Sequence, residues 1–329
     1  MRQEAFEQEH QTLWDELIAV MDDLERPRAK RQLQADQLAA FPDQYRKLCS
    51  HYALARSRGF SPMLVDYLHR MVVRGHALLY RRATVWIWRI LNFVMFGFPQ
   101  AFRRHLGAFG VSLIFFLLPA LLMGAACYLQ EDMLYSVMDS EQVAMMESMY
   151  DPDGESPGRS EERESDTDFV MFGYYILNNI GIGFRTFAVG ILAGVGSLFI
   201  LIVNGVVIGG VAGHLTRLGY TETFWPFVSG HGSFELTAIV ICGGAGLLMG
   251  RAVVMPGPEG RLESLKTQAL EALPLVMGAA LMLVVAAFIE AFWSSSNFAP
   301  DVKYAVAALL WLVVILYLGL MGRSTRGSG

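Results

Sequence analysis

His231 and Glu235 stand four residues apart in the segment Ser229-Gly230-His231-Gly232-Ser233-Phe234-Glu235-Leu236. On a helix that spacing puts both side chains on one face, within reach of each other. An imidazole beside a carboxylate in apolar surroundings can relay protons or supply two ligands to a metal. The plainer alternative, preferred on the residues alone, is a histidine that caps and orients the glutamate, which then satisfies polar groups of neighbouring helices. No third metal ligand stands at usable spacing, so no metal and no cofactor is expected. There is no His-Glu-x-x-His pair, and Ser229 and Ser233 lie outside any Gly-x-Ser-x-Gly elbow. Catalysis is not expected, and an intramembrane enzyme built on His231 and Glu235 ranks last of three readings.

Other polar residues sit in equally apolar company: Asn178, Asn179, Arg185, Asn204 and Glu290. Each is costly alone in a bilayer, whereas together they offer matched donors and acceptors. Asn178, Asn179, Arg185, His231 and Glu235 are therefore expected to form one buried polar cluster, with Asn204 and Glu290 as further intramembrane members. Glu290, within Ala-Ala-Phe-Ile-Glu-Ala-Phe-Trp, reads first as snorkelling toward the interface beside Trp293 and second as a partner of His231. Asn204 sits amid a glycine-rich stretch in which Gly190/Gly194 and Gly205/Gly209 are four apart. That spacing favours close helix packing, and it also permits a path between helices.

The elements that must position these groups are long apolar runs. Residues 107–129 carry no charge and are long enough to cross the hydrocarbon core, which takes about 20 helical residues. Further runs cover 169–189, 190–212, 233–254, 269–293 and 302–321. Only helices satisfy every backbone group inside a single apolar segment, so the fold class is all-α, a polytopic transmembrane helix bundle. Six spans are favoured over five; the segment in question is 169–189, with a close hairpin expected around 185–190.

Charge sets the orientation. Residues 1–105 carry 16 Lys and Arg against 11 Asp and Glu, and residues 130–168 carry 2 against 13. Arginine pairs at 81–82 and 103–104 precede the first span, which places the N-terminus in the cytoplasm and the acidic insert outside. Nucleic acid is not an expected partner, since the net charge of −5 averages a basic inner region with an acidic outer one. The first thirty residues are highly charged and hold no secretory apolar core, so the first span is expected to serve as its own insertion signal. Cys49, Cys127 and Cys242 are isolated and read as small buried residues.

The remaining organisation follows from periodicity. Residues 1–84 form a cytoplasmic helical domain: Trp14, Leu17, Ile18, Met21 and Leu24 recur on one helix face, as do Leu38, Phe41, Tyr45, Leu48 and Tyr52, then Leu64, Leu68, Met71 and Leu78. Ser61-Pro62 reads as a helix start. Residues 85–106 hold an aromatic segment, 85–98, too short to span and read as an interfacial helix, with Pro99 turning the chain. Residues 107–129 are the first span. The insert 130–168 begins with an amphipathic helix over 133–150 and continues as a charged Pro/Gly/Ser-rich run expected to be disordered. Residues 169–329 form the rest of the bundle. A small helical domain and glycine-rich faces both need cover, so a homodimer within the lipid bilayer is expected.

The chain resembles the stage II sporulation protein M family of bacterial and archaeal membrane proteins. The resemblance runs through 177–180 (Leu-Asn-Asn-Ile), 184–191, Asn204-Gly205, His231 to Leu236, the glycines from Gly243 to Gly250, Ile289-Glu290-Ala291-Phe292-Trp293 and Val302-Lys303-Tyr304. It extends into the N-terminal half at 52–59 and 76–82, and so covers nearly the whole chain. The resemblance implies a membrane-embedded scaffold, since the family's namesake localises peptidoglycan-remodelling enzymes during engulfment. It also implies cell-envelope or AAA+ ATPase partner proteins and a bacterial cytoplasmic (inner) membrane location. A small channel or transporter using the intramembrane polar residues is the alternative.

Overall fold

The computed structural model describes residues 2–26, 35–154, 165–258 and 260–323, which are helical and turn-linked without a strand. They fall into two compact units, Met1–Asn92 and Phe93–Gly329. The charged run expected to be disordered falls largely on 155–164, outside the described residues.

The first unit consists of α1 (Gln3–Glu25), α2 (Ala35–Ser57) and α3 (Pro62–Asn92). Its core is the periodic face read from the sequence: Phe6, Trp14, Leu17 and Met21 bury against Leu48 and Leu68. α3 starts at Ser61-Pro62 as expected. The Ser61 hydroxyl accepts from the Leu64 N–H at 3.4 Å, and Gln3 Oε1 accepts from the Ser61 N–H at 2.9 Å, which ties two helix starts together. Arg74 donates to both Glu25 oxygens at 2.8 Å and to Asp22, clamping α3 to the end of α1.

Here the observed boundary differs from the one expected of the sequence. The stretch beginning at Val85 is no separate helix but the last turns of α3, and the unit closes at Asn92. Trp86, Ile87 and Trp88 are exposed there. Apolar content continuous with good helix formers gives α3 no reason to stop before Asn92.

The second unit opens with a π turn, Phe93–Gly97, and α4 (Phe98–Arg104), then continues through α5 (Leu106–Leu129), α6 (Ser140–Tyr150), α7 (Ser165–Ala188), α8 (Val195–Arg217), α9 (Thr221–Val254), α10 (Arg261–Phe288), a second π turn (Ile289–Ser294) and α11 (Pro300–Leu320). Among the described residues, five helices are long and apolar enough to cross a membrane: α5, α8, α9, α10 with its π turn, and α11. α7 is not one of them, because Asn178, Asn179 and Arg185 dilute its 24 residues. It nonetheless runs the depth of the bundle. Its first turns lie beside Phe288 and Phe292, and Gly190 just beyond its end meets Gly246.

Direction follows from the contacts. Gly205, Gly209 and Gly213 of α8 meet Phe116, Ala120 and Gly124 of α5 in the same order, so the two helices are parallel. A β-carbon on Gly209 would overlap the Ala120 carbonyl, so glycine is required there by close approach. α7 must then return between them. The reversal lies at 189–194, later than the sequence suggests, where Ala193 and Gly194 take φ of 55° and 80°. α8 consequently begins at Val195, and α9 begins well before residue 233 because Tyr220 and its neighbours close a tight turn.

A dense core seals the end of the bundle that holds α4: Phe98, Phe102, Ala245, Leu275, Leu283 and Leu318 are buried together. Arg103 satisfies one of the last carbonyls of α11 there by donating to Leu318 O at 2.9 Å, and Gln100 donates to Gly322 O just beyond the helix at 2.7 Å. At the opposite end α6 packs over α8 and α9.

Candidate functional site

Near the α6 end, one turn of α9 presents His231 and Glu235 on the same face, with His231 Nε2 3.9 Å from Glu235 Oε2. The π turn after α10 delivers Glu290 and Ser294 to them; a π turn inserts a residue into the helical register and re-aims the side chains beyond it. Suitable donor atoms of His231, Glu235 and Glu290 all lie within 4.8 Å of one another. Ser294 Oγ lies 3.0 Å from His231 Nδ1, which holds the ring with Nε2 toward the carboxylates. Lys303 anchors the same turn by donating to Ser294 O at 2.8 Å.

Two more elements close the site. From α7, Asn179 is 2% exposed and near enough to act on the Glu290 carboxylate, yet its Nδ2 completes no hydrogen bond of good geometry. Glu290 Oε2 is likewise buried without a hydrogen-bond partner. From α6 comes Tyr150, buried edge-on against Phe224 and Phe227, the latter stacked edge-on with the His231 ring. Burial, then the nearby Glu290, Tyr175 and Glu235, push the Tyr150 hydroxyl well above its usual pKa.

The first half of the acidic insert holds this lid in place. Its helix α6 starts with a capping box in which Asp139 Oδ1 accepts from the Gln142 N–H at 2.8 Å. Glu147 lies 2.7 Å from His214 and Arg217 donates to Glu131 at 2.7 Å, so two acids of the insert dock on the end of α8. Arg217 holds the Glu131 carboxyl below the ordinary range. Thr223 donates to Tyr150 O at 2.5 Å.

Beside the site lies an open-sided pocket of about 790 Å³ lined by α5, α8 and α9, with Met146 of α6 and Trp311 of α11. Its lining is mostly apolar, Phe116, Val228 and Leu236 among it, and His231 and Glu235 are among its polar members. Trp311 donates to Ser229 O at 3.2 Å, fixing one wall.

The expected seven-residue cluster is thus only partly assembled. Asn179, His231, Glu235 and Glu290 converge, while Asn178, Arg185 and Asn204 do not. Arg185 is exposed near the end of α7 and donates through Nε to Gly181 O of its own helix at 3.0 Å, so it points away from the cluster. Asn204 donates to Ile200 O at 2.8 Å, again within its own helix. Asn178 is exposed and reaches the site only through Asn179, to whose Oδ1 it donates at 3.1 Å. Against the reading of Glu290 as a snorkelling acid, its carboxylate lies within 4.8 Å of His231 and Glu235. The third potential ligand that sequence spacing does not supply is Glu290, brought by tertiary packing. Ser294 and Tyr150 carry no readable signal: one is an ordinary serine after a tryptophan, the other lies in an insert dominated by acids.

Two family models match the chain. Stage II sporulation protein M matches residues 84–295, more than half of the sequence and all four converging residues. A domain of unknown function, DUF8413, matches residues 4–81, within the N-terminal helical unit. No match was found among curated proteins or solved structures.

Proposed function

Because the chain belongs to the stage II sporulation protein M family, we propose that it is a scaffold that organises a cell-envelope complex from within the bacterial cytoplasmic membrane, with no catalysis of its own. In this reading α7 is a sixth crossing and the N-terminal unit faces the cytoplasm, where it docks partner proteins such as an AAA+ ATPase. One observation carries it. The α4 end of the bundle is closed by backbone-to-backbone contact, as between Gly190 and Gly246, and by the Phe98–Leu283 core, so the polar site sits above a solid floor. Close packing of this kind suits a rigid organiser better than a conduit. The glycines Gly205, Gly209 and Gly213 of α8 are consumed against α5 within the chain and no longer argue for a homodimer; the small N-terminal unit still does.

The second reading, a channel or transporter, is favoured by the 790 Å³ cavity that reaches His231 and Glu235. A single pair of measurements separates the two. A photocrosslinker replacing Met63, exposed on the N-terminal unit, should capture a defined ATPase or envelope-remodelling enzyme in cells, whereas one replacing Ile315, exposed on α11, should not. Purified protein in vesicles should pass no more ions than protein-free vesicles. Ion flux abolished by Glu290→Gln, together with no specific adduct at Met63, would replace the scaffold by the conduit.

A further inference from the structure

We propose that His231, Glu235 and Glu290 form a binding site for one divalent first-row transition metal ion, of the Zn²⁺, Mn²⁺ or Fe²⁺ class, with an open coordination position toward the cavity. The donor set is one imidazole nitrogen and two carboxylate oxygens, all within 4.8 Å of one another, so small side-chain rotations bring them around a common centre. Imidazole with carboxylate ligands selects metals of this class over Ca²⁺ or Mg²⁺, which take oxygen alone. Three protein ligands leave a fourth position free, the arrangement of sites that bind a further ligand.

Two independent features point to an ion and not merely to a polar knot. The first is orientation. Ser294 engages His231 Nδ1 at 3.0 Å, which leaves Nε2 directed at the carboxylates, and a hydrogen bond on the second nitrogen is how metal-binding histidines are held. The second is an unmet need: the buried Glu290 Oε2, a free acceptor, has no hydrogen-bond partner, and a cation would satisfy it. His231 and Glu235 also line the open-sided pocket between α5, α8 and α9, which leaves two of the three ligands reachable.

The test uses the full chain in detergent or nanodiscs, stripped with a chelator and titrated with Zn²⁺ by calorimetry and with Co²⁺ by visible absorption. One ion per chain is expected. Glu235→Gln and Glu290→Gln should each weaken binding at least about 10-fold and remove the Co²⁺ bands, since even residues behind the ligands cost that much. Ser294→Ala should weaken it by roughly 10-fold while leaving the bands, as expected of a positioning residue. Folding is followed by circular dichroism and elution volume. Should Glu290→Gln not fold, Glu235→Gln decides, because its side chain borders the cavity. Failure of the folded native chain to bind either ion, or equal binding by the native chain and the Glu235→Gln/Glu290→Gln double variant, overturns the site.

Discussion

Replacing Gly209 by alanine probes the closest seam in the bundle. An ideal β-carbon at that position lies 2.0 Å from the Ala120 carbonyl oxygen and 2.6 Å from its Cα, where ordinary van der Waals contact begins at 3.4 Å. The obstacle is backbone on a helix, so no rotamer change relieves it. α5 and α8 must separate by about 1 Å, and a gap of that size forfeits a quarter to a half of each dispersion contact along the seam. The seam includes Gly205 against Phe116 and Gly213 against Gly124, which would loosen together. The expected loss is about 1–3 kcal/mol, the usual cost of overpacking. Reversible unfolding in mixed micelles, followed by circular dichroism, measures it. Gly110→Ala is the control, since nothing lies within 4 Å of a β-carbon there and the change should be neutral or slightly stabilising. A Gly209→Ala protein within about 0.5 kcal/mol of the native one would refute the close parallel packing of α5 and α8.

Arg74→Ala should destabilise the N-terminal unit by roughly 1 kcal/mol, the scale of a surface ion-pair network, with a smaller loss at high salt; a salt-independent loss would mean that packing of the side chain, not charge, was removed. His51 accepts a hydrogen bond from Trp14 Nε1 at 3.1 Å, and its pKa is lowered by burial, by His10 stacked at 3.9 Å and by Lys47, with Glu9 opposing. Its folded value lies below the unfolded one near 6.5, so its contribution is complete above that pH and is lost as pH falls through the folded value. Trp14 fluorescence should report acid destabilisation of the unit that His51→Asn flattens, and an unchanged pH profile in that variant would exclude His51 as the source. For topology, a cysteine replacing Asp153 should be labelled from outside intact cells and one replacing Arg323 should not. Labelling at both positions would mean that α7 turns back without crossing.

What the sequence discloses and what it conceals divide along a physical line. The bilayer leaves one secondary structure open to a long apolar run, so helix type is legible from composition, and the face of α1 carrying Trp14, Leu17 and Met21 is legible from its period. The turn at 189–194 sits beyond its expected place because Val-Gly-Ile-Leu-Ala-Gly is as apolar as the helices it joins; hydropathy cannot register the positive φ of Ala193 and Gly194. At the site, the four-residue spacing of His231 and Glu235 needs only a helix to become a contact. Which of two adjacent asparagines turns inward is different, because neighbours on a helix point about 100° apart and only packing against α9 and α10 selects Asn179 over Asn178. Arg185 misleads for the opposite reason: near a helix end, a long side chain can satisfy itself on its own Gly181 carbonyl. Glu290 is the instructive case. Ile-Glu-Ala-Phe-Trp-Ser is as compatible with an α-helix as with the π turn it adopts, and that extra residue in the register is what carries the carboxylate to His231. The chemistry of the site therefore depends on a backbone feature that no residue in the segment announces.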